Sequence, residues 1–284
     1  MKLVLLTLAA MLAFAGNSLL CRLALRDTGI DPASFSTVRL VSGALALAAI
    51  AAWRQGSRIR PLAGNWVSAL ALFAYAEAFS FAYLSLPAGT GALLLFAAVQ
   101  VSMIGWGIRG GERLGAWQAG GLVLALGGLV LLFLPGLAAP PLSGALLMVG
   151  SGVAWAVYSL RARGAGDPTS ATAGNFVRAA PLALALSAAT WPAMRWDAAG
   201  AAFGIASGAL CSGVGYAIWY AALRELKLTS AATVQLSVPV IAAFGGVLFL
   251  AEPASLRLAL SGAAVLGGVA LVLLAPRPAA RKSL

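Results

Sequence analysis

The feature that most constrains this chain is a series of ten apolar stretches, each about as long as a helix that spans a membrane. Such a helix needs roughly 20 mostly apolar residues to cross the hydrocarbon core. The stretches are 3–21, 33–53, 66–84, 88–108, 114–134, 142–160, 170–191, 200–222, 228–250 and 255–275. Charged residues make up only 10 % of the chain, against about 25 % in a soluble domain. The sequence therefore predicts an all-α integral membrane protein with ten transmembrane helices and excludes a soluble fold.

The distribution of positive residues predicts the orientation of these helices. If the N-terminus is cytoplasmic, thirteen of the 19 Lys and Arg residues lie in inner segments, four lie in outer segments and two lie within spans. Cytoplasmic loops carry an excess of Lys and Arg, so we expect both termini to be cytoplasmic. The net charge of +11 is not gathered into a basic stripe, and no nucleic-acid fold signature accompanies it. We therefore expect no nucleic-acid partner.

The two halves of the chain resemble each other at an offset near 140 residues. A Gly-Gly-Leu-Val-Leu-Leu run at 127–132 recurs as Gly-Gly-Val-Ala-Leu-Val at 267–272. Each half holds five spans, and because five is odd, the second half must enter the membrane from the opposite side, as in many secondary transporters. We predict two inverted five-helix repeats around a central cavity, over 1–134 and 142–284 with a short cytoplasmic tail, joined by a linker at 135–141. Further matching pairs are Arg22 and Arg161, Arg39 and Arg178, and Glu112 and Glu252.

Together these features resemble the ten-span drug/metabolite transporter superfamily in its EamA-type branch. The resemblance covers nearly the whole chain and rests on the five-plus-five repeat, an Arg early in the second helix of each half and a Glu in the last loop of each half. Pro239, midway along the ninth stretch, also fits, whereas Gln100 stands where many relatives have a proline. Within the superfamily the chain is most similar to bacterial amino acid exporters, including the aromatic amino acid exporters. The resemblance implies a transporter of the bacterial inner membrane.

Polar and aromatic side chains inside the spans indicate where the pathway runs, because polar groups in lipid are costly unless they face a cavity or the bundle interior. On the first span, Phe14, Asn17, Ser18 and Cys21 share one face. Some Tyr and Trp residues near span ends are alternatively interfacial belt residues. Aromatic faces with a few amides suit a substrate with an apolar or aromatic body and polar ends. The predicted substrate-binding residues are Asn17, Tyr75, Phe79, Tyr83, Phe96, Gln100, Trp155, Tyr158, Asn175, Tyr216, Trp219 and Gln235.

Three charged residues, Arg39, Glu77 and Arg178, lie well inside the spans. Arg39 and Glu77 fall at equal depth on adjacent helices, which predicts an ion pair, since an unpaired charge there is costly. A proton-coupling role for Glu77 is the alternative. The repeat places Tyr216 where a carboxylate partner of Arg178 would stand. Backbone carbonyls are the expected partners of Arg178, and a substrate carboxylate is the alternative.

These observations favour a secondary transporter that exports small amphipathic metabolites, foremost amino acids including aromatic ones, by alternating access. A multidrug or quaternary-cation exporter of the same superfamily and a passive channel are the alternatives. Histidine is absent and Cys21 and Cys211 lie far apart in apolar stretches, which argues against an enzyme and against a metal site. No phosphate-binding Gly-rich loop is present, and we expect no cofactor. The expected partners are a small-molecule substrate and the lipid bilayer, and the sequence is compatible with a monomer.

Overall fold

The regular structure within the described residues is entirely helical. The computed structural model describes residues 2–55, 62–111, 115–134, 139–162, 167–223, 225–226 and 234–274. The longer helices, in chain order, are α1 Lys2–Asp27, α2 Pro32–Gln55, α3 Trp66–Tyr83, α4 Ala88–Arg109, α5 Ala116–Phe133, α6 Leu142–Ala162, α7 Pro168–Ala189, α8, α9 Ser237–Leu250 and α10 Leu256–Leu274. The helix α8 comprises three consecutive segments, an α-helix over Ala198–Ile205, a π-helix over Ala206–Val214 and an α-helix over Gly215–Leu223.

The helices occupy the apolar stretches, and their ends lie within two residues of the predicted ones except at the C-terminus of α1 and the N-terminus of α9. Six helices in the described part of the chain are long and apolar enough to cross a membrane, and three shorter ones are apolar. The helix α1 continues to Asp27 because the cations near its end find partners, as described below. The helix α9 begins at Ser237, so Pro239 lies in its first turn, and residues 228–233 of the ninth stretch lie outside the described residues. That all ten stretches cross a membrane stays a prediction.

Both α2 and α7 begin with an Asp-Pro pair. Asp31 accepts hydrogen bonds from the backbone N–H groups of Ala33 and Ser34, both at 3.0 Å, and Asp167 caps α7 in the same way. Proline at the first helical position loses nothing, because the N–H there has no partner within the helix. Burial would raise the pKa of Asp31, but the hydrogen bonds from Ser34, Arg195 and Ala33 together hold this pKa below its usual range. The capping carboxylate is therefore ionised at neutral pH.

Close helix packing depends on glycine at two crossings. A Cβ atom on Gly208 in α8 would collide with the carbonyl oxygen of Arg39 and the hydroxyl of Ser42 in α2. A Cβ atom on Gly121 in α5 would lie 2.6 Å from the carbonyl oxygen of Gly268 in α10. Lipid tails are as apolar as leucine, so helices in a membrane associate through close packing and polar contacts. These glycines allow the backbones to approach.

The helices before and after the linker interleave. The main contacts of this kind are α2 with α7 and α8, α3 with α6 and α7, α4 with α6 and α9, α1 with α8 and α9, and α5 with α10. The middle of the bundle is therefore surrounded by α1, α3, α4, α6, α8 and α9, and the candidate site lies there.

Candidate functional site

A small cavity lies in the middle of the bundle. Its lining combines aromatic rings, two amides and a few small or aliphatic side chains: Phe14, Asn17, Ser18, Tyr75, Phe79, Leu95, Phe96, Trp155, Cys211, Tyr216 and Gln235. The positions open to the centre of a water molecule occupy about 20 Å³, close to the space that one ordered water needs. A metabolite enters this cavity only if the helices around it move apart.

The aromatic rings of the lining form a continuous wall. The centroid of the Trp155 ring lies 4.7 Å from that of Tyr75 and 5.3 Å from that of Tyr216. Phe14 meets the ring of Tyr216 edge-on at 5.8 Å, and Tyr75 contacts Phe79 at 5.5 Å. Such offset and edge contacts stabilise aromatic pairs beyond the area that they bury. The wall joins α1, α3, α6 and α8 and offers ring faces to a ligand.

A hydrogen-bonded chain crosses the same region. The amide nitrogen of Asn17 donates to the hydroxyl of Tyr75 at 3.3 Å, and the hydroxyl of Ser207 donates to the amide oxygen of Asn17 at 2.5 Å. Ser151 in α6 donates to the carbonyl oxygen of Tyr75 at 2.9 Å. Buried polar networks hold one arrangement when their members are satisfied. These hydrogen bonds hold α1 against α3 and α8, and α3 against α6.

Arg39 stands behind the aromatic wall. Its side chain is 1 % exposed, and its Nη2 group donates to the Tyr75 hydroxyl at 3.0 Å. The guanidinium carbon lies 5.2 Å from the ring centroid of Tyr75 and 4.9 Å from that of Phe79, within cation–π range. Its Nε and Nη1 groups have no hydrogen-bond partner within the described residues. The charge of Arg39 is therefore held next to the cavity without a carboxylate.

The predicted ion pair between Arg39 and Glu77 is not formed in the structure. Glu77 is 7 % exposed, and neither carboxyl oxygen has a hydrogen-bond partner among the described side and main chains. Counting residues along each helix places Arg39 and Glu77 at equal depth in the membrane, but it does not show which way each side chain points. Glu77 lies about 200° around α3 from Tyr75, while the guanidinium of Arg39 turns to the Tyr75 side.

Replacing Glu77 by glutamine should leave the melting temperature of the purified protein unchanged or raise it. A buried carboxyl group without a partner costs free energy, and an amide of the same shape removes the charge. Thermal unfolding in detergent measures the effect, with Glu225→Gln at an exposed position as the matched control. A loss of about 3 kcal/mol or more is expected if a buried ion pair is broken, and that loss would contradict this prediction.

Seven of the twelve residues predicted to bind substrate line the cavity, namely Asn17, Tyr75, Phe79, Phe96, Trp155, Tyr216 and Gln235. Tyr158 and Trp219 do not line it but touch rings that do, at 5.5 Å from Trp155 and 5.8 Å from Phe14. Gln100 is buried beyond Phe96 on α4. Tyr83 also contacts a lining ring, that of Phe79 at 4.8 Å, and Tyr83 and Asn175 make polar contacts at the two ends of α3. The substrate roles of all twelve stay predictions.

At the N-terminal end of α3, a group of polar contacts ties the first half of the chain to the second. Asn175 accepts from the backbone N–H of Asn65 at 2.9 Å. Arg178 donates to the carbonyl oxygens of Ala63 at 3.2 Å and Gly174 at 2.8 Å, so backbone carbonyls are its partners. Arg161 adds a contact to the side chain of Asn65 at 3.3 Å. We call these residues the α3 N-terminal cluster: Ala63, Asn65, Arg161, Gly174, Asn175 and Arg178.

At the opposite end of α3, a second group centres on Glu252. Its two carboxyl oxygens accept from the backbone N–H of Ala88 at 3.0 and 2.9 Å, and Arg22 pairs with it at 3.4 Å. Arg22 also donates to the carbonyl oxygen of Tyr83 at 2.8 Å, and the hydroxyl of Tyr83 donates to Ala88. We call these residues the Glu252 cluster: Arg22, Tyr83, Ala88 and Glu252. Its counterpart in the repeat, Glu112, lies outside the described residues.

Four lining residues were not among the predicted substrate-binding positions. Helical periodicity placed Phe14 and Ser18 on the same face of α1 as Asn17, although only Asn17 was predicted to bind substrate. Leu95 precedes Phe96, and its aliphatic side chain is indistinguishable in the sequence from the other apolar residues of the span. Cys211 lies in the π-helical segment of α8, where a different number of residues per turn changes the direction of each side chain. No periodicity argument for a regular α-helix identifies it.

Comparisons with known proteins agree with this architecture. The model of the EamA-like transporter family matches the chain twice, over residues 1–134 and 142–274. An uncharacterized protein of Pseudomonas aeruginosa is 56 % identical over 273 residues, which cover 96 % of this chain and 94 % of that protein. An uncharacterized transporter of Archaeoglobus fulgidus is 27 % identical over 92 % of this chain and 93 % of its own length. A crystal structure that shares 21 % identity superposes with a TM-score of 0.68 over 95 % of this chain and 96 % of the other, which shows a shared fold.

Proposed function

Because the chain belongs to the EamA-like transporter family, we propose that this multi-pass membrane protein is a secondary transporter that moves small amphipathic metabolites by alternating access. The observation that carries the proposal is the composition of the cavity lining. Three helices that precede the linker, α1, α3 and α4, and two that follow it, α6 and α8, contribute to the lining, and Gln235 adds a side chain from the approach to α9. A site shared between two halves is the arrangement on which alternating access depends.

The two halves are proposed to be inverted five-helix repeats, over 1–134 and 142–284. The separate matches of one family model to each half support this arrangement. The helix contacts support it as well, because they keep their pattern when each helix is exchanged for its counterpart five helices away. The α1–α9 contact corresponds to α6–α4, α3–α6 to α8–α1, and α2–α8 to α7–α3, while α2–α7 and α5–α10 each correspond to themselves.

The two polar clusters have a role in this proposal. Each joins the first half of the chain to the second, and they lie at opposite ends of α3, about 26 Å apart for a helix of this length. With both clusters formed, the cavity is closed toward both ends of the bundle. Transport then requires each cluster to open in turn. The excess of Lys and Arg in alternate loops supports an inner-membrane location with cytoplasmic termini, which makes the Glu252 cluster the outer one.

The proposed substrates are amino acids, including aromatic ones, exported from the cell. The ring faces of Phe14, Trp155 and Tyr216 suit an aromatic or apolar body, and the amides of Asn17 and Gln235 suit polar ends. Exporters of quaternary cations also use aromatic faces, through cation–π contacts. The charge of Arg39 beside the cavity favours amino acids over cations.

A counterflow screen of the twenty amino acids in proteoliposomes tests the function. Vesicles with reconstituted protein and an unlabelled amino acid inside should accumulate the labelled form transiently, and the uptake should saturate with concentration. Protein-free vesicles are the control. Uptake that never saturates and shows no counterflow would indicate a channel and would contradict the proposal. Counterflow of quaternary cations alone would support transport but overturn the substrate class.

A further inference from the structure

We propose that the hydroxyl group of Tyr75, held by the guanidinium of Arg39, receives the carboxylate or another anionic group of the substrate inside the cavity. This inference rests on the proposed function, and it adds the charge of the substrate and the residues that recognise it. A site of this kind favours anionic and zwitterionic molecules and disfavours quaternary cations.

The hydroxyl of Tyr75 is arranged to donate a hydrogen bond to a ligand. Its oxygen accepts from Nη2 of Arg39 at 3.0 Å and from Nδ2 of Asn17 at 3.3 Å. A tyrosine hydroxyl has one O–H donor and two acceptor positions at most, so these two bonds leave the proton uncommitted. In the part of the chain that the structure describes, no side chain or carbonyl accepts that proton. A ligand in the cavity that accepts hydrogen bonds can therefore take it.

Arg39 makes this donor selective for anions. No carboxylate of the described chain lies at ion-pair distance from its guanidinium, and two of its three nitrogen groups have no partner there. A buried cation without a counter-ion is destabilising, so an anion in the adjacent cavity lowers that cost. Hydrogen bonds that involve a charged group are roughly twice as strong as neutral ones. Because Arg39 lies behind Tyr75 and does not line the cavity, it acts through the Tyr75 hydroxyl as a positioning residue.

The other charged side chains inside the helices are not placed to make the Tyr75 hydroxyl selective for anions. Arg178 is engaged by the carbonyl oxygens of Ala63 and Gly174 at the far end of α3. Glu77 projects from a different face of α3 than Tyr75 and does not contact Arg39 as an ion pair. The thiol of Cys211, the remaining titratable lining group beside the tyrosines, is neutral in such an apolar setting. Arg39 is therefore the charged side chain that contacts the cavity lining, through its hydrogen bond to Tyr75.

The rest of the lining defines the body of the ligand. Trp155, Tyr216 and Phe96 line the cavity, and together they offer ring surface to an aromatic or branched apolar group. Gln235 adds an amide to the lining, which suits a polar group of the ligand. The substrate class is thus a small carboxylate or zwitterion with an apolar body.

Three probes of the same shape separate the carboxylate from the amine: L-phenylalanine, 3-phenylpropionate and phenethylamine. The full-length protein in detergent is titrated with each probe and its melting temperature is followed, since a ligand that binds the folded state raises it. Counterflow in proteoliposomes is measured in parallel. For Tyr75→Phe, we expect the affinity for the two carboxylates to fall about tenfold or more, as for the loss of a hydrogen bond to a charged group. Affinity for phenethylamine should not fall.

Arg39 variants and a matched arginine complete the experiment. Arg39→Gln should reduce carboxylate binding at least as much as Tyr75→Phe, and Arg39→Lys should recover part of it. Arg178→Gln, at the corresponding position of the second half, should not change the preference for carboxylate over amine. Equal losses for all three probes in Tyr75→Phe, or wild-type protein that moves phenethylamine as well as the carboxylates, would overturn the anion site but leave transport intact. Wild-type protein that binds and moves none of the probes would overturn the anion site and the proposed aromatic substrates together.

Discussion

Alanine in place of Trp155 should lower the apparent affinity for an aromatic substrate about thirtyfold and the free energy of unfolding by about 3 kcal/mol. The indole ring joins Tyr75 in α3 to Tyr216 in α8, at centroid distances of 4.7 and 5.3 Å, and it lines the cavity. Its removal takes away the central ring of the aromatic wall and leaves a hole that neighbouring side chains fill only partly. Titration of the melting temperature with L-phenylalanine measures both effects.

Trp106 is the matched control for this substitution. Its side chain is 62 % exposed on α4 and points away from the bundle interior. Trp106→Ala should therefore change ligand affinity less than twofold and stability by less than about 1 kcal/mol. If Trp155→Ala and Trp106→Ala behave alike, the aromatic wall does not hold the substrate.

Alanine in place of Glu252 should lower the free energy of unfolding by about 2 to 4 kcal/mol and shift the protein toward a state that is open at that end. The carboxylate accepts from the N-terminal N–H of α4 and pairs with Arg22, so its loss leaves the Ala88 N–H without its acceptor and Arg22 without its counter-ion. A carboxylate at a helix N-terminus is also favoured by the helix dipole. The melting temperature reports the stability, and labelling of Cys211 by a membrane-impermeant thiol reagent reports the opening.

Two comparisons isolate the part played by the Glu252 carboxylate. Glu252→Gln keeps one oxygen that can accept from Ala88, so its loss of stability should be smaller than that of Glu252→Ala. Glu225→Ala removes an exposed carboxylate and should have almost no effect on either measurement. Equal labelling of Cys211 in Glu252→Ala and in the unaltered protein would show that this cluster does not close the cavity.

The positions of the helices could be predicted because the thickness of a bilayer dictates the length of an apolar stretch. The ends of the helices were less predictable, since they depend on hydrogen-bond partners from other helices. The predicted end of the first helix at residue 21 came before two cations, yet Arg22 and Arg26 reach carbonyl oxygens of Tyr83 and Leu250, and α1 continues. The Asp-Pro pairs that begin α2 and α7 are a sequence signal of helix starts that the apolar runs alone did not reveal.

The sequence predicted how deep the site residues lie in the membrane, but not the direction in which each side chain points. The positions of polar and aromatic side chains within the spans predicted Asn17, Tyr75 and Trp155 as site residues, and they line the cavity, whereas Gln100, predicted in the same way, does not. Counting residues along the helices paired Arg39 with Glu77, because depth does not give the angle at which each helix faces its neighbour. The π-helical segment of α8 is a further obstacle, since the close approach of Gly208 to α2 that accompanies it depends on tertiary packing. Long-range contacts of this kind leave no local pattern in a sequence.

Labelling of Cys211 from each side of the membrane tests most directly whether one cavity opens alternately to both sides. The protein carries Cys21→Ala, so that Cys211 is its one thiol, and an impermeant reagent is added to right-side-out or to inside-out vesicles. Labelling should occur from both sides and should slow from both sides when a transported substrate is bound, while a Cys211→Ser variant takes up no label. Labelling from one side alone under all conditions, or rates that no substrate alters, would contradict a shared, alternately opened site.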